Sequence, residues 1–211
     1  MKKLIALSMG VALMAGVANA DLLASWTEEN DGTVANEAGT GVEVSDLSLV
    51  GGAANTSTAG DTWGMNALTE AGRGFQFSIV SIEDNQWIEN AVVSGTARSS
   101  ATGPAKMDWH INGTAVAGES ITGIGTGDTA WQNTLGTLNE GDVVSLLVDL
   151  SAGTNRSGSD EEPFAAGTFR IRQGGSGGDF ELSGDVIPEP GTLGLLALGA
   201  FGLAAVRRRM K

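Results

Sequence analysis

The sequence contains no cysteine and only one histidine, and these two shortages exclude whole classes of chemistry. Without cysteine, no disulfide stabilises the fold and no thiol acts as a nucleophile. A zinc site needs several histidine or cysteine ligands, so none is predicted. A Ser-His-Asp triad would have to use His110, which lies two residues from Asp108 on the polar face of a predicted strand. We therefore expect His110 to be a solvated side chain and the protein not to be an enzyme of these types.

Basic side chains are also scarce outside the two ends of the chain. Six of the twelve lysines and arginines lie in the terminal segments, so residues 21–190 carry six basic side chains against 25 acidic ones, a net charge of −19. A surface this acidic repels phosphate backbones. The composition therefore predicts that nucleic acid is not a partner.

No run of helical periodicity long enough to predict a helix occurs between residue 21 and residue 190. Short alternating runs separated by Gly, Asn and Asp turns recur instead. In one of them Phe75 and Phe77 share a face, and in another Met107 and Trp109 do. The dipeptide Asn112-Gly113 then predicts a two-residue hairpin turn with positive φ at both positions. This pattern predicts an all-β fold, a single β-sandwich over residues 21–185.

Two further alternating runs flank a glycine-rich loop at residues 174–178. Phe169 and Leu182 are expected to face the core from either side of this loop. A loop of five residues between two strands predicts that they pair antiparallel. The alternation would then place Arg172 near Glu181 on the outer face.

The first twenty residues have the features of a secretory signal peptide. Lys2 and Lys3 form a basic region, residues 4–17 form an apolar region, and Ala18-Asn19-Ala20 is a cleavage site for signal peptidase. The alternative is an uncleaved N-terminal anchor. Export of the mature chain, beginning at Asp21, is the expected outcome.

The last 26 residues, 186–211, combine three parts in a fixed order. Pro188-Glu189-Pro190 comes first, the uncharged run 192–206 follows, and Arg207, Arg208 and Arg209 stand near the end. Proline lacks an amide donor and restricts its neighbour, so we expect the tripeptide to lie outside the folded domain. A helix over the uncharged run would be about 22 Å long, short of the roughly 30 Å hydrocarbon core. The arginines would stop transfer and stay in the cytoplasm.

This order resembles the PEP-CTERM sorting signal of exported Gram-negative bacterial proteins. The resemblance rests on Pro188, Glu189 and Pro190, on the glycine-rich apolar run, and on the terminal arginines. It implies recognition by an exosortase, a membrane transpeptidase that cuts near the tripeptide. The protein would then be anchored transiently in the inner membrane by its C-terminal helix and afterwards reach the cell envelope or the extracellular matrix. An ordinary anchor that is never cut is the alternative.

A second resemblance covers parts of the predicted domain. The segment 99–104, Ser-Ser-Ala-Thr-Gly-Pro, followed by Trp109 and then Asn112-Gly113, resembles the middle of many PEP-CTERM proteins. The run Gly-Thr-Phe-Arg-Ile at 167–171 resembles their terminal strand pair. Such proteins are similar to jelly-roll β-sandwiches of the kind seen in carbohydrate-binding modules and lectins. The chain departs from the common pattern after this run, where Arg172 and Gln173 replace an Asp and an Asn.

Tryptophans and acidic clusters are the candidate ligand-binding features. Trp63 and Trp131 are predicted to lie in loops rich in Gly and Asp, where an exposed indole could stack on a sugar ring. Trp109 is in register with apolar neighbours and is expected in the core. Hard oxygen ligands suit calcium, so a structural calcium ion is a further candidate, although no cofactor is required. Its candidate clusters are Asn30-Asp31, Glu83-Asp84-Asn85 and Asp160-Glu161-Glu162.

Together these features predict a non-enzymatic exported protein of the cell envelope or extracellular matrix. The alternative is a carbohydrate-binding module acting on exopolysaccharide. A glycosidase or lyase that uses two carboxylates is a third reading, but the 25 acidic residues give no basis for choosing a pair.

Overall fold

In the computed structural model, residues 20–27, 35–37, 41–56, 62–66, 71–83, 86–100, 103–104, 106–124, 127–149, 168–172 and 179–188 are described. Within these ranges the chain forms fourteen β-strands and no helix. The strands are β1 (Asp21–Trp26), β2 (Ala35–Glu37), β3 (Val42–Val44), β4 (Ser48–Val50), β5 (Ala54–Thr56), β6 (Thr62–Asn66), β7 (Gly74–Ile82), β8 (Gln86–Ser99), β9 (Lys106–Ile111), β10 (Thr114–Thr122), β11 (Thr129–Leu138), β12 (Val143–Val148), β13 (Phe169–Arg172) and β14 (Phe180–Pro188).

The strands form two sheets with antiparallel pairing. The first follows the order β2-β1-β14-β8-β13-β6-β5, with β11 also paired to β8, and the second follows the order β10-β9-β12-β7-β3, with β4 also paired to β7. Alternation along β7 places Phe75, Phe77 and Ile79 in the core, each fully buried. This face meets the first sheet, because the ring of Trp26 in β1 lies 4.9 Å from that of Phe77. The predicted all-β sandwich is therefore confirmed.

The predicted hairpin turn between β9 and β10 is confirmed. Asn112 and Gly113 both have positive φ, 51° and 77°. The Asn112 side chain also fixes the neighbouring loop, since its Nδ2 donates to Asp142 at 2.7 Å and its Oδ1 accepts from the Val143 amide at 2.9 Å. The turn therefore ties the start of β12 to the end of β9.

The glycine-rich loop at 174–178 does not produce the predicted hairpin. Arg172 pairs with Thr96 and Glu181 pairs with Ser94, both on β8, and β13 and β14 do not pair with each other. Both strands run antiparallel to β8 along the same edge, because β11 occupies the other edge. The strands β13 and β14 therefore lie end to end along β8, and residues 173–179 connect them in the sequence. Arg172 and Glu181 are not cross-strand neighbours. Phe169 and Leu182 are fully buried, as predicted.

The last strand continues beyond residue 185, where the sequence analysis placed the end of the domain. Val186, Ile187 and Pro188 pair with Ile88, Trp87 and Gln86 of β8. The expectation that Pro188 lies outside the folded domain is therefore corrected. A proline is tolerated there because it is the final residue of the strand, where one missing amide donor ends the pairing.

A chain ending at residue 188 should be more stable than one ending at 185. The shorter chain loses three backbone pairs and the packing of Val186 against the core. At about 0.5–1.5 kcal/mol per hydrogen bond, we expect a loss of roughly 1–3 kcal/mol in the free energy of unfolding. Urea unfolding of fragments 21–185 and 21–188 measures this difference. Equal midpoints would mean that residues 186–188 do not belong to the sheet in solution.

Candidate functional site

The beginning of β1 and the end of β14 lie side by side in the first sheet. Asp21 pairs with Gly184, and the two strands are antiparallel. The segment that precedes Asp21 and the segment that follows Pro188 therefore leave the same end of the sandwich. Residues 1–19 and 189–211, which include Glu189, Pro190, Arg207, Arg208 and Arg209, lie outside the described residues. Within the described part, no helix is long and apolar enough to cross a membrane.

The two tryptophans proposed to stack on ligands are in strands, so their predicted placement in loops is wrong. Trp63 lies in β6, where it pairs with Ile171. Trp131 lies in β11 opposite Gly95, and its ring packs over that glycine, where a Cβ would come within 3.0 Å of the ring. The ring also lies 5.8 Å from those of Trp109 and Phe180. The Trp131 Nε1 is buried without a hydrogen-bond partner. A stacking role for either indole stays a prediction.

A polar network missed by the sequence reasoning connects the sheets beside Trp109, which is fully buried as expected. The Trp109 Nε1 donates to Asn133 Oδ1 at 3.1 Å, and Asn133 Nδ2 donates to Glu119 Oε2 at 2.9 Å. The same Glu119 oxygen accepts from the Thr134 amide at 2.9 Å. Buried polar groups need such partners, and here they fix β11 against β9 and β10.

His110 has no catalytic partner among the described residues. Its Nδ1 lies 3.4 Å from the carbonyl oxygen of Gly113, within the hairpin. Asp108 pairs instead with Lys106, at 2.9 Å, and Lys106 also pairs with Asp149 at 2.8 Å. The hydrogen bond to Asp149, followed by that to Asp108, raises the pKa of Lys106. Asp108 is thus engaged by a cation rather than by the imidazole.

The candidate calcium clusters fall almost wholly outside the described residues. Residues 30–31, 84–85 and 160–162 are not described, and of these clusters only Glu83 is. In the described part of the chain, no group of three or more acidic or histidine side chains is arranged to hold a metal ion. A bound calcium stays a prediction.

The structure brings together the two segments that carry the second resemblance. The Ser100 amide donates to the Thr168 carbonyl at 2.9 Å, and the Thr168 amide donates to Ser100 Oγ at 2.9 Å. Ser99 Oγ donates to the Pro104 carbonyl at 3.3 Å. Gly103 is required beside them, because a Cβ there would overlap Ser99 Oγ. These contacts fasten Ser99 and Ser100 to the start of β13.

Beside these residues, at the end of the pairing between β8 and β13, lies a cleft of about 280 Å³. It is lined by Arg98, Ser99, Ser100, Thr168 and Arg170. Arg98 and Arg170 stand directly opposite each other in the register of the two strands. The sequence analysis singled out neither of these two arginines. The scarcity of basic residues between 21 and 190 is the signal that could have singled them out.

Several solved structures are similar in fold to the chain. The xylan-binding domain CBM22-1 from Paenibacillus barcinonensis has 15% identity and a TM-score of 0.40, over 67% of this chain and 86% of its own. The carbohydrate-binding module CBM36, solved with calcium and xylotriose, has 18% identity and a TM-score of 0.33, over 66% and 98%. CBM35 from Paenibacillus barcinonensis has 18% identity and a TM-score of 0.22, over 73% and 98%. Scores this low carry no information on ligand or site.

No curated protein is similar to the chain in sequence. The family model of the PEP-CTERM protein-sorting motif matches residues 186–209. The matched range begins within β14 and covers the tripeptide, the apolar run and the arginines. Residues 186–209 are therefore a PEP-CTERM protein-sorting motif, and the chain that carries it is an exported protein targeted to an exosortase.

Proposed function

We propose that the protein is a non-enzymatic component of the cell envelope or extracellular matrix, held briefly in the inner membrane by its C-terminal segment and released by an exosortase. The observation that carries this proposal is the sorting motif at residues 186–209, which begins inside the last strand of the sandwich. No linker separates the folded domain from the tripeptide. The sandwich domain is the part of the chain that is sorted, and the motif that begins in its last strand is the sorting signal.

The geometry of the first sheet supports this order of events. The mature N-terminus expected at Asp21 lies beside Gly184, so both terminal segments leave the same end of the sandwich. Before cleavage, two apolar segments would hold this end towards the membrane. Signal peptidase would cut one and the exosortase the other, and the sandwich would remain folded because both cuts lie at the same end of it, outside its core.

Intact-mass analysis of the protein purified from its native cells tests the proposal. We expect a mass that begins at Asp21 and ends close to the Pro188-Glu189-Pro190 segment, without Arg207 to Arg209. A mature protein that still carries these arginines would show a permanent anchor, and the sorting role would be wrong. Incubation with polysaccharides should release no sugar if the protein is not an enzyme.

A second candidate function, carbohydrate binding, is favoured by one observation, the cleft between β8 and β13. Its lining combines serine and threonine residues with two guanidinium groups. Such groups form hydrogen bonds with sugar hydroxyls and carboxylates. Binding of the exported domain to exopolysaccharide, measured by pull-down, tests this candidate separately from processing of the tail.

A further inference from the structure

Basic residues are concentrated at one place in an otherwise acidic domain. Of the six lysines and arginines between residues 21 and 190, three belong to the paired strands β8 and β13: Arg98, Arg170 and Arg172. Arg98 and Arg170 are direct cross-strand partners. Like charges placed opposite each other on neighbouring strands destabilise a sheet, so a compensating negative charge beside them would be stabilising.

The described part of the chain does not supply that compensation. Between described residues, the ion pairs seen are those of Lys106 with Asp108 and Asp149, and neither involves Arg98 or Arg170. The Arg170 Nε is moreover buried without a hydrogen-bond partner. A buried donor left without an acceptor carries the full penalty of its lost hydration. The Arg170 Nε therefore makes no hydrogen bond that would hold the guanidinium in one place.

The cleft that Arg98 and Arg170 help to line has the volume of a small ligand group. Its volume of about 280 Å³ is at the lower limit of the roughly 300–1,000 Å³ of ordinary ligand pockets. One rim is held rigid by the paired hydrogen bonds between Ser100 and Thr168. Because Ser100 Oγ accepts the Thr168 amide, its hydroxyl can still donate one hydrogen bond. The site is thus preorganised and offers donors.

We propose that Arg98 and Arg170 together bind one oxyanion group, a carboxylate, sulfate or phosphate, with the Ser100 hydroxyl as a further donor. Arginine suits this role because its planar fork matches the paired oxygens of such groups. The bound anion neutralises the opposed charges. The proposal holds whether the group is a free ion or is carried by an acidic sugar, and it is independent of the sorting role.

The acidic surface of the domain does not prevent this binding under physiological conditions. Exposed charges are screened beyond about 8 Å at 0.15 M ionic strength. The two arginines contact the anion directly, whereas the net charge of −19 acts from a distance. Adding sodium chloride to physiological ionic strength should therefore weaken anion binding at this cleft only in part. The loss of affinity should be much smaller than the loss for an anion bound to an ordinary basic surface.

Calorimetry and thermal unfolding of the full-length protein in neutral detergent test the proposal. Sodium sulfate, sodium phosphate and sodium glucuronate should each bind at one site, whereas glucose should not. At ten times the Kd, binding should raise Tm by roughly 3–6 °C. Arg98→Gln and Arg170→Gln should each weaken binding by roughly tenfold to a hundredfold, as expected for loss of a charge-assisted contact. Arg73→Gln, which removes the same charge from the residue before β7 and outside the cleft, is the control and should bind as the parent protein does.

The arms of the experiment also separate the two sources of the anion. Equal affinity for sulfate and glucuronate would show that the cleft binds the charged group alone. Tighter binding of glucuronate would show that a sugar ring is also held, which supports the carbohydrate-binding candidate. Glucose binding as well as glucuronate, or an equal loss of binding in Arg73→Gln, would overturn the proposal.

A measurement on the parent protein keeps the proposal testable if the variants do not fold. In ¹H–¹⁵N spectra, the Nε–H resonance of Arg170 should shift on addition of sulfate, and the resonance of Arg73 should not. An unchanged Arg170 resonance at saturating sulfate would refute the site.

Discussion

Replacement of Phe180 by alanine should lower the free energy of unfolding by about 3–5 kcal/mol, the usual cost of removing a fully buried phenylalanine. Its side chain is completely buried at the start of β14. It contacts aromatic rings from both sheets, those of Trp26, Phe75, Phe77, Trp109 and Trp131. The cavity would therefore open at the centre of the sandwich, where neighbours fixed in two sheets cannot collapse to fill it.

Urea unfolding of fragment 21–188 measures this effect, with Val80→Ala as the control. Val80 is 46% exposed on β7, so its truncation should change stability by no more than about 0.5 kcal/mol. A Phe180→Ala variant as stable as Val80→Ala would mean that the aromatic cluster does not form the core in solution.

Replacement of Pro188-Glu189-Pro190 by three alanines should block processing of the tail. Two of the tripeptide's three residues are prolines, which restrict the backbone and lack amide donors, so the tripeptide is a distinctive recognition element. Export should be unaffected, so uncut protein should accumulate in the inner membrane at the mass of the chain beginning at Asp21. Fractionation followed by intact-mass analysis distinguishes this product from the processed one.

Two other variants serve as controls for this experiment. Ile187→Ala lies next to the tripeptide and leaves it intact, so the chain should be processed normally. Changing Arg207, Arg208 and Arg209 to serine should instead let some chains pass uncut into the periplasm, because an arginine at the bilayer centre costs about 2.5–3.5 kcal/mol and serine far less. Normal processing of the triple-alanine variant would show that the exosortase does not recognise the tripeptide.

Pairing between distant strands explains where the sequence predictions succeeded and failed. The turn at Asn112-Gly113 was predictable because only two adjacent residues decide it, and both have the expected positive φ. The inward faces of Phe169 and Leu182 were predictable because alternation is a local pattern. The hairpin across residues 174–178 was wrong because a glycine-rich loop permits both a reversal and an insertion. The choice between them is made by β8, which lies some eighty residues earlier in the sequence and binds β13 and β14 end to end.

The sequence by itself determined the class of the fold and the presence of a sorting motif. Alternating strands, the absence of helical periodicity and the motif at 186–209 are properties of neighbouring residues, and they can be read without any knowledge of the fold. Only the tertiary structure decided that Pro188 belongs to the sheet, that Trp131 packs against Trp109, and that Arg98 faces Arg170. Each of these facts depends on the register between strands far apart in the chain, and register is set by the packing of both sheets together rather than by local sequence.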